Sequence, residues 1–537
     1  MNQGRPGIYD AIVIGAGHNG LVTAGYLAKA GLKVAVFEKR YIEGGCAVTE
    51  EKWPGFKIST CAYVNSLFRP EIVVDLELKQ FGYEMLPRNP SSFTPLPDGR
   101  HLFLGPDKRM CREQIAKFSV KDAETYPAYE AFLIEIADIL EPIMRMIPPN
   151  FARIRWSDLS SYLPFIFKKR AVLKRRWPHI MRLLAGSAAD MLNAWFESDE
   201  LKATLATDAI IGANASPTTP GTAYVLFHHV MGECDGARGV WGYMRGGMGG
   251  LSQSIAKSCR HLGVEIFTGA PVEKIQVRQG AAVGVVIEGG AEYQAKVIVS
   301  NADPNITYNR LIDSKELPVE FINQVRLINY DSASVKINLA LSQLPDFKAC
   351  PGIEPGPQHR GTIHICPDMQ YMERAFADSI AGMPSRAPIL ECTIPSVIDD
   401  TLAPPGSHVM NIFVQYGPYH LKTGTTWDQE REAFGDRCLA VLAEYAPNIK
   451  HAVLYREVLT PLDLEREYSL TGGNIFHGRL TLDQMFSMRP VPGFADYRTP
   501  LKALYLCGSG THPGGGVMGT PGQNAARQVI RDKAWKR

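Results

Sequence analysis

The chain has 537 residues, a formal net charge of +2 and 45% hydrophobic residues. That length carries two to four domains' worth of chain, and the near-balanced charge gives no global field for nucleic acid. No apolar run reaches the roughly 18 residues of a membrane-spanning helix.

The start of the chain has neither a signal-peptide pattern nor an Arg- and Ser-rich transit stretch, so a cytoplasmic location is expected. The ten cysteines are scattered, with no C-x-x-C spacing and no accompanying His cluster. Neither a disulfide framework nor a metal site is predicted, and a reducing compartment is the default.

Residues 9–15, YDAIVIG, are a short apolar run closed by glycine and read as a buried parallel strand. GAGHNG follows, with Gly15, Gly17 and Gly20 in the G-x-G-x-x-G pattern. LVTAGYLAKAG then has helical spacing and stops at Gly31. Residues 33–37 read as a second strand, with Glu38 at its end. In such a unit Gly15 makes the tight turn, Gly17 admits a pyrophosphate and Gly20 lets helix and sheet pack closely. The helix N-terminus offers free N–H groups to the phosphates, and Glu38 accepts hydrogen bonds from a ribose. His18 sits inside the phosphate loop and is expected to shape it. A merely structural glycine turn would leave Glu38 unexplained.

Lys39 opens the next stretch, KRYIEGGCAVTEE. Its Gly44-Gly45 pair resembles the second fingerprint of the flavin amine oxidase and phytoene desaturase superfamily. That resemblance implies FAD as the dinucleotide, with Lys39, Gly44, Gly45 and Cys46 beside it. The commoner pattern has arginines around the glycine pair; here Ile42 and Cys46 or Ala47 stand there. Backbone contacts are therefore implied, and an arginine-to-phosphate contact is not.

Within residues 153–182, Lys168, Lys169, Arg170, Lys174, Arg175 and Arg176 form a basic block near Phe165, Phe167 and Trp177. That composition suits a helix lying on an anionic membrane surface, or a solvated helix face. Residues 242–251, GYMRGGMGGL, lead into a helix to His261, with strands predicted over 264–268, 272–277 and 282–288. VIVSNADP, at 297–304, returns the chain to the sheet. SASVKINLA at 332–340 and HVMNIFVQY at 408–416 fit strands that alternate faces.

Residues 504–524 read LYLCGSGTHPGGGVMGTPGQN. An apolar strand, a glycine-rich loop and a helix reaching back toward Gly519 again make an anion site. In flavoproteins such a loop faces the flavin C2 carbonyl, which gains negative charge on reduction. Gly508, Gly516, Val517 and Met518 are the candidates there.

GAGHNGLV, WGYMRGGMGGL, TLAPPG, LTGGNIFHG and LYLCGSGTHPGGGVMG together resemble one branch of the phytoene desaturase-like FAD oxidoreductases. The resemblance covers nearly the whole chain. Bacterial carotenoid ketolases are more distantly similar. The implied fold is α/β: a discontinuous Rossmann-like FAD domain from residues 1–72, 238–305 and 470–537, and a mixed-sheet α+β substrate or cover domain from 73–237 and 306–469. The resemblance sets Val272 beside the adenine. It puts His477, Arg489 and His512 in flavin-proximal segments as catalytic candidates, His512 as hydrogen-bond partner or acid–base group. Arg245 is a candidate contact to cofactor or substrate. The family includes mitochondrial members, so the matrix is the alternative location.

The implied reaction is hydride transfer from a small or lipophilic organic substrate to flavin. Three alternatives stay open: desaturation or ketolation of a polyene, oxidation of an amine, and an FAD-stabilised regulatory protein with little turnover. A long apolar tunnel starting near the basic block would mark the polyene enzyme, and an aromatic cage would mark the amine oxidase. Disulfide reduction is not predicted, because the nearest cysteines, Cys46 and Cys61, are fifteen residues apart. NAD(P)H use is not predicted either, because one nucleotide unit alone is found. The oligomeric state is not read from the sequence.

Overall fold

The structure is a computed structural model that describes residues 8–151, 160, 162–234, 236–422 and 424–536. Part of the basic stretch, residues 153–159 and 161, thus lies outside the described residues.

The apolar strand Ile8–Ile14 is covered on both faces, as its sequence requires. It pairs in parallel with Val34–Phe37 on one side and Glu292–Ser300 on the other. The sheet runs Glu265–Phe267, Val34–Phe37, Ile8–Ile14, Glu292–Ser300, Ala281–Ile287, Val272–Arg278. Leu504–Leu506 pairs in parallel with the far half of Glu292–Ser300. The two ends of the chain therefore meet in one seven-stranded sheet. The helices His18–Lys29 and Thr520–Asp532 pack side by side, and Thr23 Oγ1 donates to Gly522 O at 3.0 Å. Each begins after the carboxyl end of a parallel strand, where a doubly wound sheet binds its ligand.

A second seven-stranded sheet runs Val453–Leu459, Ser334–Leu341, His408–Gln415, Ile389–Thr393, Thr362–Ile365, Ser92–Pro95, His101–Leu104. Its pairings are antiparallel except that of Thr362–Ile365 with Ser92–Pro95. The predicted alternation is present, in an unusual form. Val335, Ile337, Leu339, Met410, Ile412 and Val414 pack on Phe434, Cys438 and Leu442 of the helix Trp427–Tyr445. The opposite face is polar, yet it too is buried. There the register sets Lys336 beside Phe413, Phe413 beside Glu391, and Glu391 beside His364. Asn338 faces Asn411, which faces Thr393.

Ile412→Ala empties the centre of the apolar face. It is expected to destabilise the protein by about 2–5 kcal/mol, read as a lower urea midpoint, with polar-face chemistry untouched.

Candidate functional site

One cavity of about 340 Å³ is lined from both sheets. Its nucleotide end is built on the first turn of His18–Lys29. Gly17 caps that helix in extended conformation, no side chain caps it, and no acid sits in its first turn. Its leading N–H groups and the positive end of its dipole thus stay available to an anion. Gly20 must be glycine: a Cβ there would lie 2.2 Å from Gly15 O. Glu38 is only 7% exposed. Its Oε2 accepts from Ala16 N at 2.7 Å and its Oε1 from Arg40 N at 2.8 Å. Each oxygen keeps a further lone pair for a ribose hydroxyl. Burial pushes the carboxyl up, against those two N–H bonds.

The second glycine loop lies on the first. Gly44 N donates to Ala16 O at 2.9 Å, and Gly45 faces Gly17. Gly45, Cys46, Lys39 and Val272 line the cavity together with Gly15, Gly17, His18 and Glu38. Lys39 Nζ donates to Ser469 Oγ at 3.3 Å. Gly20 and Gly44 act behind the wall, as packing positions.

The C-terminal loop supplies Ser509, Gly516 and Val517 to the cavity. Gly516 has φ +113°, and a Cβ there would meet Leu67 Cδ1 at 2.7 Å. Val517 has φ +58°, a left-handed conformation that a β-branched residue holds only under strain. Gly508 and Met518 are not at the wall. Gly508 packs on Asn301 O, and the Met518 side chain belongs to the core.

The three catalytic candidates separate. His477 lines the cavity at φ +57°, and burial holds its imidazole down although Asp303 opposes this. Its neighbour His18 is held down to about 3 by burial and by His477, which keeps the His18 ring neutral. Arg489 and His512 do not line the cavity. Arg489 is 1% exposed and spends its guanidinium on backbone carbonyls: Ser509 at 2.8 Å and Arg479 and Gln484 at 3.0 Å. It is a strut between the 476–489 segment and the C-terminal loop. His512 is buried beside Phe486, with its imidazole pulled to about 4 by burial. Arg245 also lies off the cavity, bound to Asp400 at 2.8 Å.

The sequence reading missed the far end of the cavity. Tyr63, Trp241, Phe413, Phe476 and His229 wall it, with Ser334 and Lys336 from the polar sheet face. Lys336 is 3% exposed. Its Nζ donates to Asn338 Oδ1 at 2.7 Å and Asn411 Oδ1 at 2.8 Å, and lies 5.0 Å from the centre of the Tyr63 ring. Burial pulls its ammonium down to about 7. The available signal was a lysine on the alternating strand SVKINLA, between two valine- and isoleucine-type core positions.

A bare glycine approach, an uncapped helix N-terminus, an anchored carboxylate and a second, strained glycine loop fit a flavin dinucleotide. Gly15, Gly17, Glu38 and Gly45 would hold its nucleotide half, and Gly516 and Val517 its ring end.

A family model for flavin containing amine oxidoreductases matches residues 20–530. Pyridine nucleotide-disulfide oxidoreductase domain-containing protein 2 of Rattus norvegicus is 46% identical, covering 98% of this chain and 94% of its own. Phytoene desaturase (lycopene-forming) of Pantoea ananas is 25% identical, covering 96% and 97%. Among solved structures, putrescine oxidase bound to putrescine has a TM-score of 0.61 at 17% identity, covering 98% and 99%, a likeness of fold.

Gly20→Ala is expected to yield protein with little bound flavin. Glu38→Ala should weaken FAD binding by about 10–100-fold, from charge-assisted hydrogen bonds worth about 1.5–3 kcal/mol. The flavin-to-protein absorbance ratio after purification, and FAD titration of the apoprotein, measure both.

Proposed function

The chain belongs to the flavin containing amine oxidoreductase family and is an FAD-dependent oxidoreductase; from that premise we propose that it takes hydride from a C–H bond of a small or lipophilic organic substrate held against Lys336. FAD, when bound, supplies the two-electron acceptor. The chain supplies the rest. Tyr63, Trp241, Phe413 and Phe476 offer aromatic walls that exclude water from an apolar substrate body. Lys336, poised near 7, is partly free base at neutral pH. It can accept the proton that a substrate O–H or N–H loses as the neighbouring C–H gives up hydride.

Lys336 is the observation that carries this proposal. An unneutralised lysine is costly to bury, and the family's reaction gives it a use. The same sheet face holds Ser334 Oγ, Glu391 Oε1, Thr393 Oγ1 and Asn411 Nδ2 buried without partners. Such a face favours a substrate with a polar group over a bare polyene. No residue of the helix Leu163–Ala185 lines the cavity, so the tunnel that would favour a polyene does not start at the basic block. The aromatic walls favour an amine as second choice, since ring faces hold cations. The putrescine named for one structural neighbour is such an amine.

The proposal includes peripheral contact with an anionic bilayer as the route for a lipophilic substrate. On the helix Leu163–Ala185, Phe167 is 67% and Trp177 57% exposed. They share a face with Leu163, Arg170, Lys174 and Met181, all exposed. Arg175 and Arg176 turn instead to Glu135. No described helix is long and apolar enough to cross a membrane.

The wild-type flavin should bleach anaerobically with one class in a panel of amines, alcohols and polyenes. Its reduction rate should rise with pH through about 7 as Lys336 loses its proton. Lys336→Met should slow reduction by about 100–10,000-fold and flatten that rise; an unchanged rate and profile would remove Lys336 from the chemistry. In sedimentation with phosphatidylglycerol vesicles, the wild type should bind at low salt and Phe167→Ser/Trp177→Ser should not. Equal recovery with neutral phosphatidylcholine vesicles would argue against the electrostatic contact.

A further inference from the structure

Cys46 and Cys61 are too far apart in sequence to read as a redox motif. The fold closes the gap. Thr49–Trp53 and Phe56–Ser59 form an antiparallel hairpin with Thr49 opposite Ser59. Carried outward, that register brings residue 46 beside residue 62, and Ala62 N donates to Cys46 O at 3.0 Å. The two cysteines thus sit at the open end of one hairpin. The Cys46 side chain lies near enough to Cys61 to push its thiol up further. Both are free thiols. Leu459, Leu464 and Leu470 pack around the pair. On their other side both open onto the cavity that Gly17, Gly45 and Gly516 line.

A disulfide needs Cα atoms within about 7 Å and thiols able to meet. Adjacent peptides joined by one hydrogen bond bring the two backbones within that reach, and the side chains are near enough to influence each other. The titratable and charged groups acting on Cys61 include Tyr468, whose hydroxyl donates to Thr60 Oγ1 at 2.8 Å, Lys336 and Arg40. Burial pushes the Cys61 thiol up, which favours its protonated form.

We propose that Cys46 and Cys61 are a redox pair belonging to the FAD site, a dithiol that closes to a disulfide by giving two electrons to the flavin and reopens when reduced flavin returns them. Closure breaks both S–H bonds and forms one S–S bond. The flavin takes the two electrons and one of the protons, becoming the reduced anion. The second proton leaves to solvent. Reopening consumes the same electrons and protons, so no outside oxidant or reductant enters the exchange. The pair is a second two-electron store beside the cofactor, whatever substrate fills the cavity.

The test uses the FAD-loaded wild-type protein, oxidised with ferricyanide and desalted. Anaerobic dithionite titration should consume about four electrons per flavin, and about two in Cys61→Ser. Independently of any variant, alkylation of the oxidised, denatured protein without reductant, then peptide mass mapping, should find a peptide cross-linked through Cys46 and Cys61. Dithiothreitol should abolish the cross-link. Uptake of about two electrons by the wild type, with both cysteines alkylated after oxidation, would overturn the proposal. Because neither readout uses a substrate, a protein that oxidises none of the panel compounds can still pass or fail.

Discussion

The parallel pairing of Leu504–Leu506 with Ile298–Ser300 holds the cofactor site together. It puts the last strand of the chain two places from the first, with Glu292–Ser300 between them. Only then can the helices His18–Lys29 and Thr520–Asp532 lie in contact, and only then do Gly17 and Gly516 face one cavity. Further ties lock the arrangement. Asp303 Oδ2 accepts from Thr471 N at 3.0 Å, and Arg489 clamps the carbonyls of the 476–489 segment to that of Ser509. A cation buried among backbone carbonyls is costly unless its donors are used, and those of Arg489 are used on the loop that carries Gly516 and Val517.

The second sheet is governed by the opposite economy. Its apolar face is an ordinary core, whereas its other face buries Lys336, Asn338, Glu391, Asn411 and His364 away from bulk water. Burial shifts these groups toward neutrality: Lys336 down to about 7, Glu391 up to about 8 and His364 down to about 3. A sheet selected for stability alone would replace such residues with apolar ones of similar volume. Of these, Lys336 lines the cavity, where a perturbed group marks a candidate chemical site. One part of the cavity wall is accordingly glycine and backbone, and another is aromatic rings with Lys336.

How much of this was legible in the sequence depends on the range of the interactions. The strand, glycine turn, helix and acid of residues 8–38 are one local unit, and the sequence displays them in order. The glycine loop and helix at 508–532 are equally local. The sequence did not place His512 and Arg489 relative to the cavity, because nearness to a motif along the chain does not say which way a side chain turns. His512 turns toward Phe486, and Arg489 toward carbonyls. Lys336 was passed over because an alternating strand shows two faces without showing what covers each.

By itself the sequence determined the nucleotide-binding unit, the glycine-rich loops and the alternation of the second sheet, because each follows from spacing within a few residues; that the loops serve FAD was what the family resemblance implied. The tertiary structure alone decided which residues share the cavity. Tyr63, Trp241, Lys336, Phe413 and His477 come from five separate stretches of chain. Cys46 and Cys61 are brought to the same end of one hairpin because the chain folds back between them. Such meetings depend on strand register and sheet order, which are set by contacts between distant segments.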